Sequence, residues 1–263
     1  MAISRRDALK YSTILAASTA MAGSTNTSNP KVIKSNNKAR IADTNKPRVV
    51  VVGGGWSGLS VAKYTKIFAP NSDVILVEQR HEFISCPMSN LWLVDKINLE
   101  YLTHDYLQAA RNNNYTYFQA TATGLDKTNN ILHTSNGDIN YDYIIFACGI
   151  DYDYSRWTND IAFETRLRQD YPAGFIPGSE HITLKNKIKN FKGGNFILTV
   201  PSGNYRCLPA PYERACIIAD YFKSKKLDAK VILLDENNTV TIKKKGFESA
   251  FNELHGDYID YQV

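Results

Sequence analysis

An α/β fold made of two strand–helix–strand nucleotide-binding halves is predicted by three stretches of this sequence. A valine-rich run meets a glycine loop in "RVVVVGGGWSGLS" (48–60). A second apolar strand, "DVILVE" (73–78), closes that unit. The same plan returns at 195–235 as "NFILTV", a helix and "AKVILLDEN". Four consecutive valines fit a strand buried on both faces, as parallel sheets require.

In the first half, Gly53-x-Gly55-x-x-Gly58 follows the strand at once, and Leu59, Val61 and Ala62 give the next segment a helical apolar face. Gly53 permits the tight turn, Gly55 lets the backbone approach a pyrophosphate, and Gly58 lets helix and strand pack closely. The helix start offers N–H donors, and Glu78 closes the second strand as an acceptor for ribose hydroxyls. An isolated glycine fingerprint is weak. Placed between two strands with an acid about twenty residues later, it is specific. Trp56, Ser57, Gln79 and Arg80 flank these positions and complete the local candidate set.

Two further strands are expected in "YFQATATGLD" (117–126) and "INYDYIIFACGI" (139–150), around a turn at Asn136-Gly137. The second resembles the Ala-Thr-Gly strand end of FAD-dependent disulfide-reductase-like proteins, with Ala147-Cys148-Gly149 in its place and Asp142 just ahead. That resemblance favours FAD over NAD in the first half and adds Ala122, Ala147 and Gly149 to the cofactor-binding candidates. Cys148 stands where the pattern has Thr and is expected as a small buried hydrophobe.

Charge is unevenly placed. Residues 1–48 hold nine Lys/Arg and two acids, whereas the rest is slightly acidic within an overall +5. No basic stripe with interleaved aromatics is left for nucleic acid. The start, "MAISRRDALKYSTILAASTAMAGS", has a charged head, an apolar stretch (11–22) too short to span a bilayer, and an Ala20-Met21-Ala22 cleavage pattern. Ser4-Arg5-Arg6 with Leu9-Lys10 resembles the twin-arginine export motif, with Ala8 where Phe is usual. Export to the periplasm follows as the expectation. The segments are then 1–22 signal peptide, 23–46 disordered linker, 47–157 first dinucleotide-binding domain and 158–263 an incomplete second one. Cys86, Cys148, Cys207 and Cys216 show neither zinc spacing nor a C-x-x-C-H haem site, and the five histidines, expected at the surface or in loops, show no ligand spacing.

The second half departs from the first at its loop. Where a second glycine fingerprint would hold NAD(P)H, residues 201–211 read "PSGNYRCLPAP". Pro201, Pro209 and Pro211 remove backbone donors, and only Gly203 remains, so a pyrophosphate has no cradle there. The loop presents Cys207 beside Arg206, whose charge favours a thiolate.

"RCLPAPYERA" together with "ISCPMSNLWL" (84–93) and the twin-arginine leader resembles the flavoprotein subunit of flavocytochrome c sulfide dehydrogenase, a relative of sulfide:quinone oxidoreductases. The resemblance runs from about residue 47 to the last residue and implies two Rossmann-like dinucleotide-binding domains, FAD domain first. It also implies that the chain stops within the second domain, at the strand-like "GDYIDYQV", short of the last FAD-binding segment and the interface region. By the same resemblance Cys207 matches one half of a redox disulfide whose other half lies beyond Val263. Cys86 matches the cysteine bonded to the flavin, and Glu213 an acid beside the active site. The implied chemistry is attack of hydrosulfide on a disulfide containing Cys207, transfer of two electrons to FAD, and delivery to a c-type cytochrome subunit. Simpler roles stay open from the residues alone: Cys86 as a core thiol, Cys207 as a bystander, Glu213 as a helix-start carboxylate. Cys216 is expected in the core. Two other functions also stay open, a sulfide:quinone oxidoreductase and a non-catalytic flavin-binding or interaction protein lacking the second redox cysteine.

Overall fold

The first valine run forms the centre of a four-stranded parallel sheet. The computed structural model describes residue 41 and residues 44–263; the leader expected over 1–22 and most of the 23–46 linker lie outside them. Strand β1 (Arg48–Val52) is buried along its whole length, and helix α1 (Trp56–Phe68) returns the chain to β2 (Asp73–Glu78). With β5 (Thr116–Gln119) and β9 (Tyr143–Phe146) the order is β5-β2-β1-β9, and Val49 to Val52 pair with both Val74 to Val77 and Tyr143 to Phe146. Alternate β1 residues face two cores, as the two-residue period of a strand dictates. Val49 and Val51 pack with Ala62 of α1, Tyr106 and Ala110 of α3 (Tyr106–Asn113), and Leu76. Val50 and Val52 pack with Leu132 and Ile139 of an antiparallel meander.

That meander corrects the strand expectation. "YFQATATGLD" is two strands in different sheets, β5 and then β6 (Ala122–Asp126), and "INYDYIIF" is likewise β8 (Gly137–Asn140) followed by β9. The Asn136-Gly137 turn joins β8 to β7 (Ile131–Thr134). The second corner is fixed by Asp142: its carboxylate accepts from Arg48 N at 2.6 Å while its own N–H donates to Arg48 O at 2.9 Å, which starts β9 in register with β1.

Between β2 and β5 the chain makes a short hairpin, β3 (Glu82–Ile84) with β4 (Thr103–Asp105), enclosing helix α2 (Ser89–Leu93). After α4 (Ile161–Asp170) and α5 (Ser179–Asn190), a second parallel sheet forms from β10 (Gly194–Val200), β11 (Ala229–Asp235) and β12 (Ile259–Gln262). Helix α6 (Ala210–Ser224) joins β10 to β11; the short α7 (Lys244–Ser249) and a π-helical turn precede β12. Helix α6 begins five residues earlier than "ACIIADYF" alone implies, because Pro211 sits in its first turn, where a missing N–H costs nothing and φ is already helical.

One feature of this packing positions the site. Trp92 and Leu93 of α2 are buried in the same core as Leu184 and Ile188 of α5 and Tyr212, Ile218 and Phe222 of α6. The segment carrying Cys86 is therefore anchored in the core of the second half. Lys185 reinforces this, donating to Trp92 O at 2.5 Å and pairing with Asp95 at 2.6 Å.

Candidate functional site

The glycine loop between β1 and α1 forms a cradle whose three glycines do three different things. Gly53 has φ +102°, and a Cβ there would lie 2.4 Å from Ala147 O; at Gly58 a Cβ would lie 1.8 Å from Gly53 O. Both positions are closed to any side chain. At Gly55 a Cβ would meet nothing within 4 Å, so open space lies against the backbone at this point. Helix α1 has no side-chain cap, which leaves its first N–H groups directed at that space. Glu78, at the end of β2, accepts from Gly54 N (2.8 Å) through Oε2 and from Arg80 N (2.9 Å) through Oε1. A carboxylate has lone pairs beyond these two bonds. The cradle thus fits a dinucleotide: an uncapped helix start for phosphate, an unobstructed backbone, and an acid at the carboxyl end of the neighbouring strand β2.

Tyr106 was not picked out from sequence, yet it fixes the loop. Its hydroxyl donates to Gly54 O at 2.7 Å, its ring stacks on Tyr117 at 5.3 Å, and Tyr117 in turn bonds the carbonyl of Arg80. Trp56 is exposed at the mouth with its ring edge-on to Phe83 at 5.4 Å. Ser57, Gln79 and Arg80 are exposed, and Ala122 is partly buried in β6. Ala147 and Gly149 follow the last residue of β9, Ala147 lying against Gly53 and Gly149 having φ +82°. Cys148 is exposed rather than buried, since it lies past the last residue of β9; its Sγ turns to Val52 O at 3.7 Å.

The second constellation lies where α2 meets α6. Cys86 sits in the turn ahead of α2, its carbonyl accepting from Ser89 N at 3.0 Å. Cys207 sits in the turn ahead of α6, its carbonyl accepting from Ala210 N at 3.0 Å. Both are partly buried free thiols, and the charge of Cys207 acts on Cys86. Burial pushes the Cys86 thiol up from its ordinary value, while Arg206 and Arg214 pull it back. Glu213 is exposed in the first turn of α6, where the helix dipole favours a carboxylate. Cys216 packs against the core, as expected. His181 departs from the surface placement expected of it: only 3% exposed, it is held in α5 with Nε2 against Gly174 O at 3.1 Å. The other residues that shape this site, Arg214 and Asn90, come from segments far apart in sequence, and only "PYERAC" hinted at one of them.

A family model described as pyridine nucleotide-disulphide oxidoreductase matches residues 15–161, more than half of the sequence. The chain belongs to that family. A second model, the central part of the sulfide dehydrogenase [flavocytochrome c] flavoprotein chain, matches residues 182–263, the half that holds Cys207. A sulfide dehydrogenase flavoprotein chain from Chlorobaculum thiosulfatiphilum is 54% identical over 43 residues, 16% of this chain and 90% of that one. A mitochondrial sulfide:quinone oxidoreductase from Dictyostelium discoideum is 26% identical over 195 residues, 72% of this chain and 42% of that one. The solved sulfide:quinone oxidoreductase of Aquifex aeolicus superposes with a TM-score of 0.67 at 19% identity, covering 82% of this chain and 50% of that one, a likeness of fold. The chain spans about half or less of the length of these oxidoreductases. The resemblance to the sulfide dehydrogenase flavoprotein and the two-half α/β fold both stand, and the family indicates FAD as the flavin. Among the described residues no helix is long and apolar enough to cross a membrane, and no cluster suits a metal.

Proposed function

We propose that this chain is the flavin-holding part of a flavoprotein that oxidises sulfide to sulfane sulfur or polysulfide. The observation that carries this is that Cys86 and Cys207, from opposite halves of the chain, come within electrostatic reach of one another, with Arg206 and Arg214 also acting on Cys86. A thiol pair in a positively charged, partly exposed setting suits capture of an anionic sulfur nucleophile. The similar sulfide dehydrogenase and sulfide:quinone oxidoreductases support the same chemistry.

Roles follow from position. Gly55, the α1 start and Glu78 hold the dinucleotide; FAD, when bound, supplies a two-electron acceptor that can pass electrons on singly. Cys207, on a turn stiffened by Pro209, takes up sulfur as a persulfide once it is part of a disulfide. Glu213, exposed beside that turn, accepts the proton that hydrosulfide chemistry releases. Cys86, in the turn ahead of α2, would hold the flavin covalently. A c-type cytochrome subunit is the electron acceptor, and the Arg5-Arg6 leader directs the protein to the periplasm by the twin-arginine route.

Anaerobic mixing of the full-length flavoprotein with sulfide tests the activity. Flavin absorbance should bleach in the wild type, and Cys207→Ser should slow bleaching by roughly three orders of magnitude or more while retaining flavin, because an alcohol forms neither disulfide nor persulfide. Equal rates in both proteins reject the assignment. Acid precipitation tests the link separately: flavin should pellet with the protein, and flavin wholly in the supernatant removes Cys86 from that role without touching FAD binding.

A further inference from the structure

Arg214 is nine-tenths buried, with 6% of its surface exposed, yet none of its hydrogen-bond partners is charged. Nε donates to Asn90 Oδ1 at 3.1 Å, Nη1 to Ala173 O at 2.5 Å and Nη2 to Gly174 O at 3.0 Å. Among the described residues no carboxylate comes within 4.0 Å of it. Glu180 acts on it only from further away, since its Oε2 accepts from Tyr152 Oη at 2.8 Å and from Ile176 N at 3.0 Å. A guanidinium does not give up its proton, so a full charge is held here without a direct counter-ion, which burial strongly disfavours.

The surroundings are shaped for it. Gly174 has φ +73°, and a Cβ there would lie 2.9 Å from Nη1 and 2.9 Å from Leu184 Cδ2. The Phe175 ring covers the guanidinium at 5.6 Å. His181 Nε2 must donate to Gly174 O, the carbonyl Arg214 also uses; burial and Arg214 together pull His181 below its ordinary range, which keeps it neutral. Arg206 donates to the next carbonyl, Phe175 O, at 3.1 Å.

Two of the groups that act on this charge are sulfur. Asn90 lies four residues after Cys86 in the first turn of α2, and Arg214 lies seven residues after Cys207 on α6, so the Nε bond ties together the two thiol-bearing segments across 124 residues. Cys86 and Cys207 both act on the guanidinium, along with Glu180 and Tyr152. We propose that Arg214 is the positioning residue of the two-thiol site: it fastens the Cys86 and Cys207 segments together and sets a fixed positive charge that stabilises an anionic sulfur group, whether thiolate, bound hydrosulfide or persulfide. This rests on the sulfide-oxidising role above, but its test needs no turnover.

The probes are iodoacetate and iodoacetamide, one anionic and one neutral, applied to the full-length holoprotein after anaerobic reduction with a phosphine, so that Cys207 is a free thiol, with its alkylation followed by mass spectrometry. The ratio of the two rates cancels the thiolate fraction and reads the local field. Wild type should give a ratio about tenfold above that of a neutral cysteine peptide. Arg214→Gln and Arg214→Met should bring it to the peptide value, and Arg214→Lys should restore it even if melting temperature falls. Asn90→Ala, which removes a bond but no charge, should leave it within about twofold. A wild-type ratio at the peptide value overturns the proposal, as does an unchanged ratio in a folded Gln or Met variant. Should neither of those fold, Arg206→Gln decides: abolition of the excess by that exposed residue overturns the assignment to Arg214, and retention supports it.

Discussion

The two halves of this chain share a frame and treat its ligand end in opposite ways. In each, a parallel strand runs into a loop and a helix, and the next strand ends in an acid, Glu78 in one and Asp235 in the other. Around Glu78 the loop is glycine, space is open at Gly55, and the helix start is bare. Around Asp235 the acid is buried and spoken for: Oδ2 accepts from Tyr212 Oη at 2.7 Å and from Tyr261 Oη at 3.0 Å, and Oδ1 accepts from Asn237 N at 2.9 Å. Tyr212 belongs to the first turn of the helix whose entrance Pro209 and Pro211 occupy. The place a ribose would take in a second nucleotide site is thus filled by tyrosine hydroxyls, and the place of a pyrophosphate by proline and a thiol-bearing turn. A βαβ unit keeps its fold when its ligand contacts are exchanged, because the sheet and helix faces that make the core are different residues from those that face the ligand.

The comparison breaks most readily at its glycines. Gly58→Ala puts a Cβ 1.8 Å from the Gly53 carbonyl, backbone that cannot swing aside. A loss of about 3 kcal/mol in a urea melt is expected, with loss of flavin. Gly55→Ala, facing open space at φ −71°, should change stability by no more than about 0.5 kcal/mol. Yet it should weaken flavin binding by about tenfold, measured by flavin retained on dialysis, because the methyl group occupies ligand space. Wild-type flavin retention in Gly55→Ala would mean that the cradle is not the binding site.

On the second half the expectation is inertness. Anaerobic NADH should leave the flavin spectrum unchanged. Tyr212→Phe leaves one buried acceptor bond of Asp235 unmade and should cost about 1–2 kcal/mol in the same melt. It should still not admit NADH, since the prolines remain. Rapid bleaching by NADH in either protein would show that the tyrosine–aspartate contacts do not close a site.

What was legible in the sequence was whatever is local. Gly53, Gly55, Gly58 and Glu78 announce themselves because a phosphate loop needs them at fixed spacing along one continuous stretch. The proline-bearing turn before α6 is equally local, and Pro211 in its first turn could have set the helix start at Ala210. The broken strands were not legible: nothing in the apolar run of "YFQATATGLD" says that Gln119 ends one sheet's register and Ala122 begins another's. Cys148 was misplaced because an apolar strand end reads as buried until the sheet is seen to stop at Phe146. Least legible was the contact of Arg214 with Asn90. It exists because Trp92 and Leu93 bury α2 in the core of the other half, a choice made by tertiary packing rather than by any motif.

The smallest expected effect separates the site thiols from the structural one. Burial, with the Glu213 charge adding to it, raises the Cys216 thiol from an ordinary 9.0 to about 11. Its reactive thiolate is therefore on the order of one part in a thousand at pH 8. Iodoacetamide at pH 8 should label Cys207 while leaving Cys216 untouched in the reduced native protein, and both should react after unfolding in urea. The linkage has a definite sign. The folded value lies above the unfolded one, so the contribution of this burial to stability is complete below about pH 9 and is lost as pH rises through about 11. Comparing urea midpoints of wild type and Cys216→Ala between pH 8 and pH 11 isolates it: the difference should narrow as pH rises, because alanine has no proton to lose. A difference that stays constant across that range would mean the thiol is not held from water, and the α6 face bearing Cys216 would then be open rather than packed against the core.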